Sequence, residues 1–387
     1  MKRTGLTRDQ LPKRRRWRIA VALAAPIVMF VALGGVASAK SGAEDIAFLN
    51  APANATQVPF APGPVVVTPV TGEKVSLNWG KAYPVPAGPI GDPKETYTFC
   101  FSQGLLNNPW VTAQRESVML EAARHSNLKV LYFNTNDANQ QVQDLQTCHN
   151  KKVDAILVWP QTVGALTPVI NRLCKSKDLV IGMERTVATR CYTSWLFLDY
   201  PGTVTAVGEA AAKGIGGKGV VVESQGTPGS SPAILRHKYF ADVMKKYPGI
   251  KLVQTNPTDF GLTTGYNAAI TFLNSAQGKG PIAAWYSHYE QEALGIAAAL
   301  KQKGRTDIKQ YTIGGTRQVI CEVQKGKIAY LHPGSATPLH GDLAVRLAIL
   351  KLEGKQIPAN VSLSSPPPIT PANAKEAYVT RGWGPGC

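Results

Sequence analysis

The chain has 387 residues, 44% hydrophobic and 17% charged, a globular composition long enough to divide into two compact lobes. Its formal charge is +17, but residues 1–39 hold eight Lys/Arg against Asp9 and so carry seven of those charges. The rest is scattered, with no basic run interleaved with aromatics, so no nucleic-acid partner is expected.

In chain order, the basic start from Lys2 to Arg18 overlaps an apolar run from Ile19 to Val36, then Ala37-Ser38-Ala39 before Lys40. This is the pattern of a cleavable export signal over residues 1–39, although the run is also close to the length of a bilayer span. No cysteine follows it, so a lipid anchor is not supported. Residues 40–94 are rich in Pro, Ala, Val and Gly, with turn pairs at Pro62-Gly63 and Thr71-Gly72. They read as an extension, partly strand-like and outside the main fold.

From Thr96 the pattern alternates. Strand 97–101 leads to helix 110–124, strand 129–133 to helix 138–150, strand 153–159 to helix 166–176, and strand 179–183 follows. After an apolar run at 196–199 and a helix at 204–213 the cycle restarts. It gives strands at 220–223, 251–254, 282–286 and 310–313, with helices at 233–246, 263–273 and 291–302. Short apolar runs without period two, separated by helices, predict parallel sheets covered on both faces. Two such series imply two doubly wound parallel-sheet lobes, an α/β fold with a cleft between the strand ends. Helix 341–352 and the Pro-rich run 364–370 would return the chain across the junction.

Six cysteines follow the leader, and an even number in an exported chain permits disulfides. Cys174 and Cys191 bracket a strand and form the natural local pair, with Cys321 and Cys387 a second candidate pair. Cys100, inside an apolar strand, fits a buried free thiol. No CxxC or His/Cys ligand spacing occurs, so neither a metal site nor a cofactor is expected.

Several separated motifs then converge. Asn107-Asn108-Pro109-Trp110 follows the first strand of the alternation, and Asn136–Gln141 precedes VDAILVWP (Val153–Pro160). Glu184-Arg185 ends a strand, Asp199–Gly208 begins a helix, and Gly226-Thr-Pro-Gly229 is followed by Arg236. Ala293-Leu294-Gly295, Gly326-Lys327 and Ile369–Asn373 complete the series. In order and spacing this resembles the type I periplasmic binding proteins of ABC transporters, the ribose/galactose-binding group, over about residues 95–375. The resemblance implies two lobes joined by a three-crossover hinge. The first comprises residues 95–199 and 341–368, the second 200–340 and 369–387.

It also implies a site. A sugar offers an apolar face of C–H bonds and an edge of hydroxyls, so its receptor needs an aromatic wall and planar polar groups. The resemblance places Trp110 and Phe260 as stacking walls. Arg185 and Arg236 would supply forked hydrogen bonds, with Glu184 and Asn108 beside them. The chain departs from the group at three points. Ser287-His288-Tyr289-Glu290 stands where a second-lobe Asn is usual, Gly314-Gly315 where an Asp is usual, and Pro338-Leu339 near the usual Gln. Tyr289 would add aromatic surface to the site, and the two arginines leave room for an anionic group.

No Gly-x-Ser-x-Gly, Walker loop or His-Glu-x-x-His occurs, so no catalytic residues are expected. A sugar-responsive repressor would carry a helix-turn-helix ahead of the lobes, where this chain has a leader and an extension. The expectation is an exported, periplasmic or secreted, monomeric receptor. It would bind a sugar, sugar acid or similar small molecule by hinge closure and deliver it to an ABC permease. The alternative is a sensor feeding a membrane kinase or chemoreceptor through the same cleft.

Overall fold

A computed structural model describes residues 43–58, 65–67, 74–76, 82–105, 108–334, 340–384 and 386–387. The proposed leader, Asn107 and Pro338-Leu339 lie outside these residues. In chain order the elements are α1 (Ala43–Leu49), β1 (Thr56–Val58), β2 (Val65–Val67), β3 (Lys74–Ser76), β4 (Tyr97–Gly104), α2 (Pro109–Ala122), β5 (Leu128–Thr135), α3 (Ala138–Asn150), β6 (Ala155–Trp159), α4 (Val163–Lys175), β7 (Val180–Glu184) and β8 (Ser194–Leu198). There follow α5 (Tyr200–Gly214), β9 (Lys218–Ser224), α6 (Ser231–Met244), β10 (Gly249–Gln254), α7 (Leu262–Asn274), β11 (Ala284–Ser287), α8 (Glu290–Gln302), β12 (Lys309–Ile313), α9 (Arg317–Gln324), β13 (Tyr330–His332), α10 (Gly341–Leu352), β14 (Asn360–Leu363) and α11 (Ala374–Thr380).

The strands form two parallel sheets. One has the order β1-β14-β8-β7-β6-β4-β5 and the other β10-β9-β11-β12-β13; β2 and β3 pair separately as an antiparallel ribbon. Central strands are apolar on both faces because helices cover both: every residue of β6, β7 and β8 is buried. The chain leaves the first sheet after β8, returns to it through α10 and β14, and leaves again before Ile369, which bonds Leu331 of the second sheet in both directions.

The extension is not outside the fold. β1 adds a parallel edge strand, Thr56 opposite Val361 and Val58 opposite Leu363, and Leu49, Val58, Val85 and Ile90 are buried in the principal core. Asn127 clamps residues 90–95 through backbone bonds to Ile90, Asp92 and Glu95, and Arg124 bonds the Val85 carbonyl. A Pro-rich composition hides this because the segment is held by side chains contributed from elsewhere in the chain.

Cys100 is no free thiol. It pairs with Cys148, joining β4 to α3, while Cys174–Cys191 and Cys321–Cys387 form the other two bridges. Short elements escaped sequence reading: α9, β13, β14 and α11 are three to eight residues long, too brief for a periodicity to emerge.

Candidate functional site

The carboxyl ends of both parallel sheets turn toward each other, where an open α/β sheet binds ligands. On the first sheet, β4 ends in a loop whose last residue, Asn108, is the N-cap of α2. Its Oδ1 accepts from the Trp110 backbone N at 2.9 Å, and Pro109 occupies the first turn. Asn-Pro thus starts the helix as its chemistry dictates, and in doing so aims Trp110. The indole Nε1 of Trp110 donates to Oε2 of Glu184 at 2.5 Å, and Trp159, at the end of β6, donates to the same oxygen at 2.5 Å. Glu184 ends β7 with φ of +60°, a left-handed turn that a side chain tolerates only where its surroundings hold it.

The next residue, Arg185, is 2% exposed. Its Nη1 donates to the Gln161 carbonyl at 2.7 Å, and its guanidinium lies 4.1 Å from the Trp159 ring centroid and 5.4 Å from that of Phe260. Burial, opposed by the nearby Glu184 carboxylate, draws its pKa down to about 10. Glu184-Arg185 is therefore a buried pair lining the cavity described below, not a solvated surface pair.

From the second sheet, α6 carries Arg236, 7% exposed, whose guanidinium lies 5.5 Å from the Tyr200 ring and 5.6 Å from the Phe260 ring. Phe260 sits at φ of +59° and packs against Gly226, where any Cβ would come within 2.0 Å of its ring. That close approach explains the glycine in the loop after β9. Tyr289, the residue before α8, meets Phe260 edge-on at 6.3 Å. Beneath them, Glu223 bonds Nε2 of buried His288 and Nδ1 of His237, each at 2.8 Å. Burial opposes the Glu223 charge, but the two imidazoles bring its carboxyl well below the usual range. Glu290 accepts from the backbone N–H groups of Gly315 and Thr316, each at 2.7 Å, yet complete burial pushes its pKa up to about 7.

Asn108, Trp110, Glu184, Arg185, Arg236, Phe260 and Tyr289 line one cavity, in which about 30 Å³ admits the centre of a water molecule. The two faces are thus nearly closed on each other. Direct bonds cross between them: Thr186 N donates to Ser231 Oγ at 2.8 Å, and Val163 N to the Gly229 carbonyl at 2.9 Å.

Sequence reasoning missed three contributors. Trp159 lines the cavity at the end of VDAILVWP, where its place as the last strand residue was the available signal. Gly314, with φ of +153°, lines it where the resemblance leads one to look for Asp. Trp383, from the C-terminal segment bonded to Arg317 and Gly315, backs Trp110 edge-on at 5.8 Å, and nothing near it in the sequence foretells that contact.

Comparison with known proteins agrees with this architecture. Residues 99–356 match the periplasmic binding protein domain. The ribose import binding protein of Bacillus subtilis (strain 168) is 24% identical over 273 residues, covering 70% of this chain and 86% of its own. The galactofuranose-binding protein of Escherichia coli (strain K12) is 27% identical over 217 residues, 54% of this chain and 66% of its own. Among solved structures, a galactofuranose binding protein superposes with a TM-score of 0.69 at 22% identity, covering 74% of this chain and 98% of its own. A Mycobacterium smegmatis protein in complex with beta-D-fucofuranose gives 0.68 at 24% identity, with 74% and 95% covered. At these identities the structural likenesses speak for the fold. The domain match, spanning more than half the chain over both sheets, makes this chain a member of the periplasmic binding protein family.

Proposed function

We propose that the protein is the exported solute receptor of an ABC importer, taking a single sugar-sized ligand into the cavity between its sheets. One observation carries the reading: the two sheets, from opposite sides, aim aromatic walls (Trp110, Trp159, Phe260) and two buried guanidiniums into one enclosed space. Aromatic faces suit the C–H face of a sugar, and planar donors suit its oxygens. The named relatives import ribose or bind galactofuranose, which favours a sugar or sugar derivative here. Because the cavity is nearly filled by its own lining, entry requires the faces to part and then close, a hinge motion about the crossovers. Glu184 is tied by two indole donors and serves to orient them, which supports binding without catalysis.

In this reading the leader is cleaved after Ala39, the receptor works as a monomer in the periplasm or outside the cell, and a membrane permease receives the closed form. The test is thermal denaturation of the purified protein against a panel of aldoses, ketoses, polyols and sugar acids, since a folded receptor gains stability from any solute it binds. A rise in Tm of several degrees with at least one member is expected. No shift across the whole panel would refute the reading.

A further inference from the structure

Among the described residues, the side chains lining the cavity are rich in donors and poor in acceptors. Among the described residues neither Arg185 nor Arg236 forms an ion pair, and the buried Nε of each has no hydrogen-bond partner. Arg236 makes no hydrogen bond at all among them, and Arg185 makes one, to a carbonyl. Both guanidiniums nevertheless lie against the ring of Phe260, at 5.4 and 5.6 Å from its centroid, and the charge of Arg236 works against that of Arg185 in a place shielded from water. Among the described residues a single carboxylate lines the cavity, Glu184, and its Oε2 is already taken by two indoles. Asn108 has committed its own acceptor to the cap of α2. The remaining acid that Arg236 acts upon, Glu292, is fully buried and pushed up to about 8, so it is mostly uncharged at neutral pH. A neutral polyol would bring as many donors as acceptors and find little to accept from it.

We infer that the ligand is an anion, a monosaccharide-sized sugar acid whose carboxylate lies between Arg185 and Arg236. This rests on the receptor reading above and narrows it. A carboxylate accepts forked bonds from both guanidiniums, relieves their mutual repulsion and leaves the ring hydroxyls to Glu184 and Tyr289, which line the same cavity.

Isothermal titration of the purified protein at pH 7 with matched pairs tests it: D-galacturonate against D-galactose, D-glucuronate against D-glucose, D-ribonate against D-ribose, with ribose 5-phosphate and glucose 6-phosphate as a third arm. At least one acid should bind tenfold or more tightly than its neutral parent. In Arg236→Gln that preference should collapse at least tenfold, while the ligand-free Tm stays level or rises because a like-charge contact is gone. A merely structural Arg236 would instead lower that Tm. Neutral sugars binding as tightly as their acids would overturn the anion and leave the receptor standing. A preference for the phosphates would overturn the carboxylate. Binding by no member of either set would count against both inferences.

Discussion

At the scale of the residue, Glu184 organises the site by bridging two tryptophans, and each carries a separate duty. Trp110→Ala removes both a wall and a donor, so ligand affinity should fall tenfold or more in a calorimetric titration. Trp110→Phe keeps an apolar face and leaves Glu184 to Trp159 alone, so a smaller loss, about threefold, is expected. Equal losses in the two variants would mean that the ring face contributes nothing. A second prediction concerns Glu290. Burial lifts its carboxyl from the ordinary 4.5 to about 7, so the folded protein holds that proton more tightly than the unfolded chain. Stability therefore falls as pH rises from about 4.5 to about 7, and is not recovered above it. Glu290→Gln keeps an acceptor for Gly315 and Thr316 and removes the buried charge. Urea denaturation should find it level with the wild type near pH 4 and up to about 3 kcal/mol more stable near pH 8.5. A constant difference across that range would refute the assignment. The candidate site residues readable in sequence were those near turn residues after strands: Trp110 in the first turn of α2, Arg185 just past β7, and Arg236 on α6 after the Gly226–Gly229 turn. Trp159 closes an apolar strand and is indistinguishable there from core, and Trp383 reaches the site only through the path of the C-terminal segment.

At the scale of the element, long helices and buried strands declare themselves through apolar spacing: the bounds of α3 and α10 coincide with those expected. Helices with polar starts began earlier than expected. α5 opens at Tyr200 because Asp199 caps it, its carboxylate accepting from Gly202 N at 2.9 Å. The segments that sequence could not place are those whose partners lie far along the chain. α1 is an instance: Arg190 Nη2 donates to the Ala47 and Asn50 carbonyls, and Thr186 Oγ1 to the Leu49 carbonyl. The Cys100–Cys148 bridge is another, closing 48 residues between β4 and α3. By the loop-entropy argument, replacing both cysteines by alanine should cost about 3–4 kcal/mol in equilibrium denaturation, reduced below the full value where the cavity repacks. The same double substitution should leave ligand affinity nearly unchanged, since neither cysteine lines the cavity. A large loss of affinity with intact stability would instead tie the bridge to the site.

For the whole molecule, the proposed hinge makes the stability of the fold and an equilibrium between open and closed forms separable, because different bonds would govern them. Thr186 N and Ser231 Oγ meet only when the faces are together, and so, on the other flank, do Asn50 Nδ2 and the Tyr239 hydroxyl at 2.7 Å. In the second contact Asn50 belongs to the extension, outside residues 99–356. In the open form each of these groups can bond water, so deleting one partner penalises the closed form alone. Ser231→Ala leaves the buried Thr186 N–H unsatisfied, at about 1–2 kcal/mol, while Tyr239→Phe removes one of the two bonds of the half-buried Asn50 amide, whose bond to the Ile46 carbonyl stays, at about 0.5–1 kcal/mol. The closed-to-open ratio without ligand should then fall about tenfold in Ser231→Ala and about threefold in Tyr239→Phe, and apparent affinity should fall with the closed fraction wherever the closed form binds. Small-angle scattering should show a larger radius of gyration in the double variant than in the wild type, and saturating ligand should return both to one value. Should the radius stay fixed while affinity falls, the two contacts would belong to the site's local packing, and closure would have to be driven by the ligand's own bonds to Arg185 and Arg236.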